Sequence, residues 1–254
     1  MSLSMFPSLE LPEDLRETLE QFLTQLQKDW GADLEGLLLY GSAARGDFIA
    51  GRSNFNFLVL VRALSVSGLQ RAGQLHRKWG KHQIVAPLLM TQEDLSQSRD
   101  LFPLDYFQMQ EHHVRLAGKD PFGAGHIDRQ QLGWQCEHEL LANVFRMRQR
   151  FVEGEGRAEA IRALLMLSIT SVLSCVRGML WIIGQPSKGK DVQILECLPR
   201  ALQFEPTVLL EILQMKRGMN SPGSLEWTKV YERYLQTVEG LCKRVQAVRQ
   251  ESRV

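Results

Sequence analysis

The spacing of apolar positions changes several times along the chain, and each change marks an element. Leu15, Leu19, Phe22, Leu23, Leu26 and Trp30 recur at intervals of three and four, which lines one face of a helix. Pro12 stands where a first-turn proline is tolerated, so an amphipathic helix is predicted to begin there and to cover a sheet. Glu35–Tyr40 is a short apolar run ended by Gly41, the pattern of a buried strand. Phe55, Phe57, Val59 and Val61 then alternate with Asn56, Leu58 and Leu60, which predicts a second strand. Ser65–Trp79 reads as a helix and Ile84–Met90 as a strand. Thr91-Gln92-Glu93-Asp94 has the form of a capping box opening a short helix. After Phe102-Pro103-Leu104-Asp105-Tyr106 turns the chain, Phe107–Leu116 fits strand and helix equally well.

From Asp128 onward the pattern is helical. Breaks at 154–156, 184–189, Pro206 and 218–223 divide it into about five helices. Gly118-Lys119-Asp120-Pro121-Phe122-Gly123 is the best boundary, so two domains are expected, 1–120 and 121–254. The fold class is α+β: an N-terminal mixed sheet flanked by helices, then a C-terminal helical bundle, with the cleft between them as the expected place for a nucleotide or small molecule.

Composition narrows the function. The 254 residues are 44% hydrophobic and 23% charged, enough for one sizeable core or two smaller ones. Lys+Arg 30 against Asp+Glu 29 creates no strong basic field, so nucleic acid is not favoured as a partner. Cys136, Cys175, Cys197 and Cys242 are scattered without a C-x-x-C, which suits reduced thiols in a cytoplasm. The apolar stretch Ala163–Ile183 carries Ser, Thr, Cys and Arg177, and reads as a buried bundle helix, with no membrane partner expected. Met1-Ser2-Leu3 reads as a cloning remnant. Homo-oligomerisation stays open.

The chemistry concentrates between Tyr40 and Val61. Gly41 allows close backbone approach to a ligand, and Ser42 offers a hydroxyl and an amide. Ala43-Ala44-Arg45 can form a first helical turn whose free N–H groups attract phosphate, with Arg45 adding a charged contact. Ser53 precedes Asn54 and Asn56, which share a face at the start of the second strand, a spacing that would put two ligands on one metal. This arrangement resembles the nucleotidyltransferase superfamily related to DNA polymerase β, and more closely its small bacterial and aminoglycoside nucleotidyltransferase branch. The phrase from Arg115 to Pro121 resembles the link between sheet and helices in that branch. The resemblance implies that Gly41, Ser42, Arg45 and Ser53 belong to a nucleotide-binding turn for ATP or another nucleoside triphosphate. It places Asn54 and Asn56 where two metal-binding aspartates stand in the family.

That departure is large. Mg²⁺ favours charged oxygen ligands, and an amide oxygen is neutral. Two unit charges about 4 Å apart interact by roughly 4 kcal/mol near a protein surface, so losing both acids forfeits several such contributions. An amide is no general base either. The third acid that the family carries is missing from Gln83–Met90, leaving only Asp47, Glu93, Asp94 and Asp105 nearby in sequence. The reading is a bacterial, cytoplasmic nucleotidyltransferase-fold protein, catalytically impaired, a pseudoenzyme that retains nucleotide or phosphate binding. No tightly held cofactor and at most weak Mg²⁺ are expected. Two alternatives stand beside it. One is an active enzyme that transfers a nucleoside monophosphate to a small molecule or protein with displaced acids such as Asp47 or Asp105. The other is a non-enzymatic interaction module of toxin–antitoxin type.

Other motifs carry less. Gly184–Asp191 approaches a P-loop but lacks a preceding strand and a Ser or Thr after the lysine, and Asp191 reads as a helix cap. Arg45-Gly46-Asp47 matches an adhesion tripeptide by chance. Arg146, Arg148 and Arg150 read as a solvated face, and Glu137 is a weak candidate for a base. His112, His113 and His126 lack metal-ligand spacing and are expected to be exposed or capping. Arg177 has no histidine four to six residues on, which excludes the nuclease half of such toxin–antitoxin pairs.

Overall fold

The structure, a computed structural model, describes residues 13–123, 125–219 and 226–251. Pro12, Met1-Ser2-Leu3 and the glycine break beyond 219 lie outside the described residues. The chain divides into two compact units, one of residues 1–101 and 105–126, the other of 102–104 and 127–254.

In the first unit, helix α1 (Glu13–Trp30) leads into strand β1 (Leu34–Tyr40), the short helix α2 (Ser42–Arg45) and strand β2 (Asn56–Val61). Helix α3 (Val66–Trp79), strand β3 (Leu88–Met90), helices α4 (Gln92–Leu101) and α5 (Pro103–Glu111), and strand β4 (His113–Gly118) follow. The sheet order is β3-β2-β1-β4, with β2 and β3 parallel and the other pairs antiparallel. Leu37, Leu39, Phe55, Phe57, Val59 and Val61 occupy one face of this mixed sheet. They form a single core with Leu19, Phe22 and Leu26 of α1 and Leu75 and Trp79 of α3. Phe22 anchors that core, 4.9 Å from Phe57 and 6.4 Å from Trp79 between ring centroids. Leu38, Leu58 and Leu60 on the opposite face are buried as well, which is why β2 is apolar at every position but its first. Gly118 ends β4 at φ +69, where a Cβ would stand 2.1 Å from the Glu35 carbonyl oxygen, so only glycine fits.

The predicted strand Ile84–Met90 is shorter than the pattern implied. β3 covers only Leu88–Met90, and Ile84 makes an isolated bridge to Phe55. Pro87 between them has no N–H for a ladder. The ambiguous segment Phe107–Leu116 is both things in turn, the end of α5 and most of β4.

The second unit consists of α6 (Arg129–Glu153), α7 (Ala158–Ile182), α8 (Asp191–Glu196), α9 (Leu198–Leu202), α10 (Thr207–Lys216) and α11 (Trp227–Glu251). That is six helices among the described residues, because Cys197 and Pro199 divide a segment read as one. Helix α7 is long and apolar enough to cross a membrane by length and composition, and 67% of its apolar window is buried inside the protein. Its Arg177 is buried. The guanidinium donates to the Ser187 and Gly189 carbonyls and to Asp191, each contact within 2.8 Å. Asp191 is therefore the first helical residue of α8 and the partner of Arg177, while Lys190 holds the cap position. Satisfying both charges in one place is what allows them under the apolar surface.

Candidate functional site

The site grows from the end of β1. Tyr40 pairs with Asn56 across β2 and with His113 across β4, so three strand ends converge on one edge of the sheet. Gly41 then turns the chain at φ 81 and ψ −151. A Cβ there would lie 2.8 Å from Nδ2 of Asn56, so both the torsion and the space demand glycine. The next residues form α2, whose first N–H groups have no partner within the helix by geometry. The turn closes on Gly46 at φ 77, as the N–H of Gly46 donates to Ala43 O and that of Asp47 to Ser42 O. Ala43 is buried in the core while Ser42 and Arg45 are half-buried.

The loop from Asp47 to Asn54 is held by its own groups. Phe48 stacks on Phe55 with ring centroids 4.2 Å apart. Ser53 accepts from the Ile49 N–H through its hydroxyl and donates its own N–H to the Ile49 carbonyl, so its oxygen braces the loop rather than standing free for a ligand. Gln83 adds the long-range brace. Its side chain accepts from the Gly51 N–H at 3.0 Å and donates to the Ser53 carbonyl, and its own carbonyl accepts from Phe55 N–H at 2.7 Å. Gln83 adopts a left-handed backbone at φ 62, which no local signal predicts for a glutamine.

Asn54 is exposed and Asn56 half-buried. The Asn56 amide nitrogen donates to the Asn54 carbonyl at 3.3 Å. A carbonyl oxygen can only accept, so it is the nitrogen end of Asn56 that faces Asn54 and Gly41. A divalent cation needs oxygens converging there, and the donor set supplies neutral oxygens and a competing N–H. The strand β3 contributes Leu88, Leu89 and Met90 and no acid. Among the described residues no group of three or more His, Cys, Asp or Glu could hold a metal. The residues present do not fit a two-metal centre.

Two of the acids close by in sequence sit otherwise. Asp47 is 8% exposed just after α2, and Asp105 lies in the first turn of α5. Burial foremost, then the charge of Asp105, raises the Tyr40 hydroxyl above its ordinary value, so Asp105 acts on the residue paired with Asn56.

No family model matches the chain, and no curated protein matches it in sequence. Among solved structures, spectinomycin adenyltransferase AAD(9) from Enterococcus faecialis, crystallised with ATP and spectinomycin, matches over 91% of this chain and 99% of its own. The TM-score is 0.61 and the identity 14%. The fold is a nucleotidyltransferase fold. At that identity the likeness is one of fold, and it extends past the sheet into the helices.

On this nucleotidyltransferase fold the structure brings Gly41 and Asn56 into contact, with Ser42 next in chain and Asn54 one hydrogen bond away. Residues singled out in the helical unit have other occupations. Glu137 accepts from Gln246 and pairs with Arg249 at 2.9 Å, so a cation already occupies the carboxylate considered as a base. Arg146, Arg148 and Arg150 pair with Glu139, Glu239 and Glu153 on an exposed face. Contrary to expectation, His112 is buried, at 7% exposure. His113 meets the Met109 and Gln110 carbonyls at the end of α5 and Asp120 beyond β4, whereas His126 is exposed.

Proposed function

We propose that this protein is a catalytically impaired nucleotidyltransferase homologue whose Gly41-Ser42 turn, with Arg45, binds the phosphates of a nucleoside triphosphate without completing transfer. One observation carries the reading: both positions where the family places metal-binding acids hold amides, and the Asn56 amide is turned nitrogen-first onto the Asn54 carbonyl. The glycine turn and the four-residue helix behind it support retention of phosphate binding, since the first N–H groups of that helix have no partner within it. The site is expected to work in a cytoplasmic bacterial setting.

Calorimetric titration with ATP tests both halves. Binding is expected with or without Mg²⁺, and Ser42→Ala with Arg45→Gln should weaken it by roughly tenfold. Absence of ATP binding removes the nucleotide half, and Mg²⁺-dependent release of pyrophosphate from ATP removes the impairment. One observation favours an active enzyme with a displaced acid, namely the charge of Asp105 acting at Tyr40. In that reading Asp105→Asn abolishes pyrophosphate release, whereas in ours there is none to abolish.

A further inference from the structure

The helical unit contains a second concavity, built from α6, α7 and α11 and independent of the Gly41 turn. Its volume is about 430 Å³, within the ordinary range for small-ligand pockets. Met179, Ile182, Val245 and Val248 supply apolar walls, while Arg129 and Arg249 bring two guanidinium groups to the same space. Arg129 lies over the Trp181 ring at 5.4 Å, and Arg249 over Trp134 at 3.6 Å from the ring centroid.

Arg249 is the informative residue. Its side chain is only 12% exposed, and its Nε lies 2.9 Å from Glu137 Oε2. Nε and Nη1 are both buried without a hydrogen bond, so the Glu137 contact is an ion pair that leaves the guanidinium donors unsatisfied. Buried guanidinium donors are normally satisfied, because a buried N–H without an acceptor loses the hydration it had in the unfolded chain and gains nothing. Arg249 lies against the Trp134 ring, so the guanidinium that helps line the cavity is held in place by that contact and by Glu137. Glu137 offsets one of the two positive charges, which leaves the lining with a net charge of one.

We propose that this cavity is a binding site for a small monocarboxylate with an apolar body. The carboxylate pairs with the two guanidinium groups that Arg129 and Arg249 bring to the lining, and the apolar body lies along Met179, Ile182, Val245 and Val248. One net positive charge matches a single carboxylate better than a phosphate dianion, and a planar carboxylate suits a fixed guanidinium edge. A purely polar anion would leave the four apolar walls uncovered.

Octanoate serves as the probe, with octanol and inorganic phosphate as the neutral and the purely polar comparators. Calorimetry reports binding, and tryptophan emission provides a local signal because Trp134 and Trp181 are stacked on the two arginines. Octanoate is expected to bind saturably at one site per chain, with octanol and phosphate at least roughly tenfold weaker. Arg249→Gln should remove that preference for octanoate over octanol. Gly133→Leu is the second variant. A Cβ at Gly133 would meet Arg249 and Ile182 at an ordinary 3.6 Å, so the rest of the leucine extends into the cavity and should block both ligands while preserving helical circular dichroism. Equal affinity for octanol and octanoate overturns the proposal. So does absence of octanoate binding into the millimolar range, or binding indifferent to Gly133→Leu.

Discussion

At the scale of single residues, the exchange of two acids for two amides changes what the edge of the sheet can hold. In Asn56→Asp the carboxylate would place an oxygen where the amide nitrogen now donates to the Asn54 carbonyl, exchanging a hydrogen bond for a repulsion. The double variant Asn54→Asp/Asn56→Asp should therefore be less stable than the wild type in chelator, by about 1 kcal/mol, and regain that loss as Mg²⁺ is added. With ATP present its Mg²⁺ affinity should exceed that of the wild type by at least roughly tenfold in a calorimetric titration. Equal Mg²⁺ affinities in the two proteins would mean that these positions never share a cation. The cysteines allow a second test. Burial, with help from the Glu239 charge, pushes the Cys242 thiol up to about 11, and the hydrogen bond with Cys136, then burial, raises Cys175 well above its ordinary value. Burial also raises Cys197, though that thiol is half-buried, so in native protein it should be the first of the four to react with a thiol reagent. Mass spectrometry locating the first label on Cys136 or Cys175 would contradict the packing described. Gly41, Asn54 and Asn56 were legible in sequence because their spacing follows from strand period and a glycine turn. Gln83 was not, since its role depends on a left-handed backbone and on partners about thirty residues away.

At the scale of elements, periodicity located α1 and β2, whose apolar faces are long enough to show a period, and continuous apolar runs located β1 and α7. It failed where a short element ends against another. Phe107–Leu116 has no single period because a helix ends and a strand begins inside it, and the His113 ring caps the one while its backbone opens the other. The capping box of α4 was legible because its residues act locally. The Asp94 carboxylate accepts from the Thr91 N–H and hydroxyl, and the Thr91 hydroxyl accepts from the Asp94 N–H. These bonds to Thr91 hold the Asp94 carboxyl below its usual value, the backbone bond foremost. Asp120 is shifted by opposing causes. Burial would raise it, but the Phe122 N–H and the His113 ring together lower it. A depressed carboxyl contributes stability above its unfolded value, near pH 3.9, and that contribution is lost as pH falls through the folded value. Asp94→Ala and Asp120→Asn should each lower the melting temperature at pH 7, and the difference from wild type should shrink as the pH is lowered toward 3. A difference that persists unchanged to pH 3 would show that the carboxylate charge is not what stabilises these turns.

At the scale of the whole molecule, each unit has its own core, and each core has a different weak point. The sheet unit depends on aromatic packing around Phe22, whereas the helical unit carries a charge in its interior at Arg177. The alternation of strands and helices made the mixed sheet and the helical region legible, but the fate of Arg177 was not. In sequence it is one arginine in an apolar helix, and the partners that permit its burial lie ten to fourteen residues on, in a segment that reads as a loop. Removing the guanidinium alone leaves Asp191 and two carbonyls without their donor, so Arg177→Met should cost roughly 3–5 kcal/mol. Arg177→Met with Asp191→Leu removes both charges and should recover part of that loss, because no buried carboxylate then loses its Arg177 contact while the carbonyls remain to be rehydrated. The effect should also be local. Hydrogen exchange followed by mass spectrometry is expected to quicken in α7 and α8 of Arg177→Met while protection in β1 and β2 stays near the wild-type level, since those strands belong to the other core. Equal loss of protection in both units would mean that they unfold as one cooperative body. The interior ion pair would then stabilise the whole chain rather than the helical unit alone.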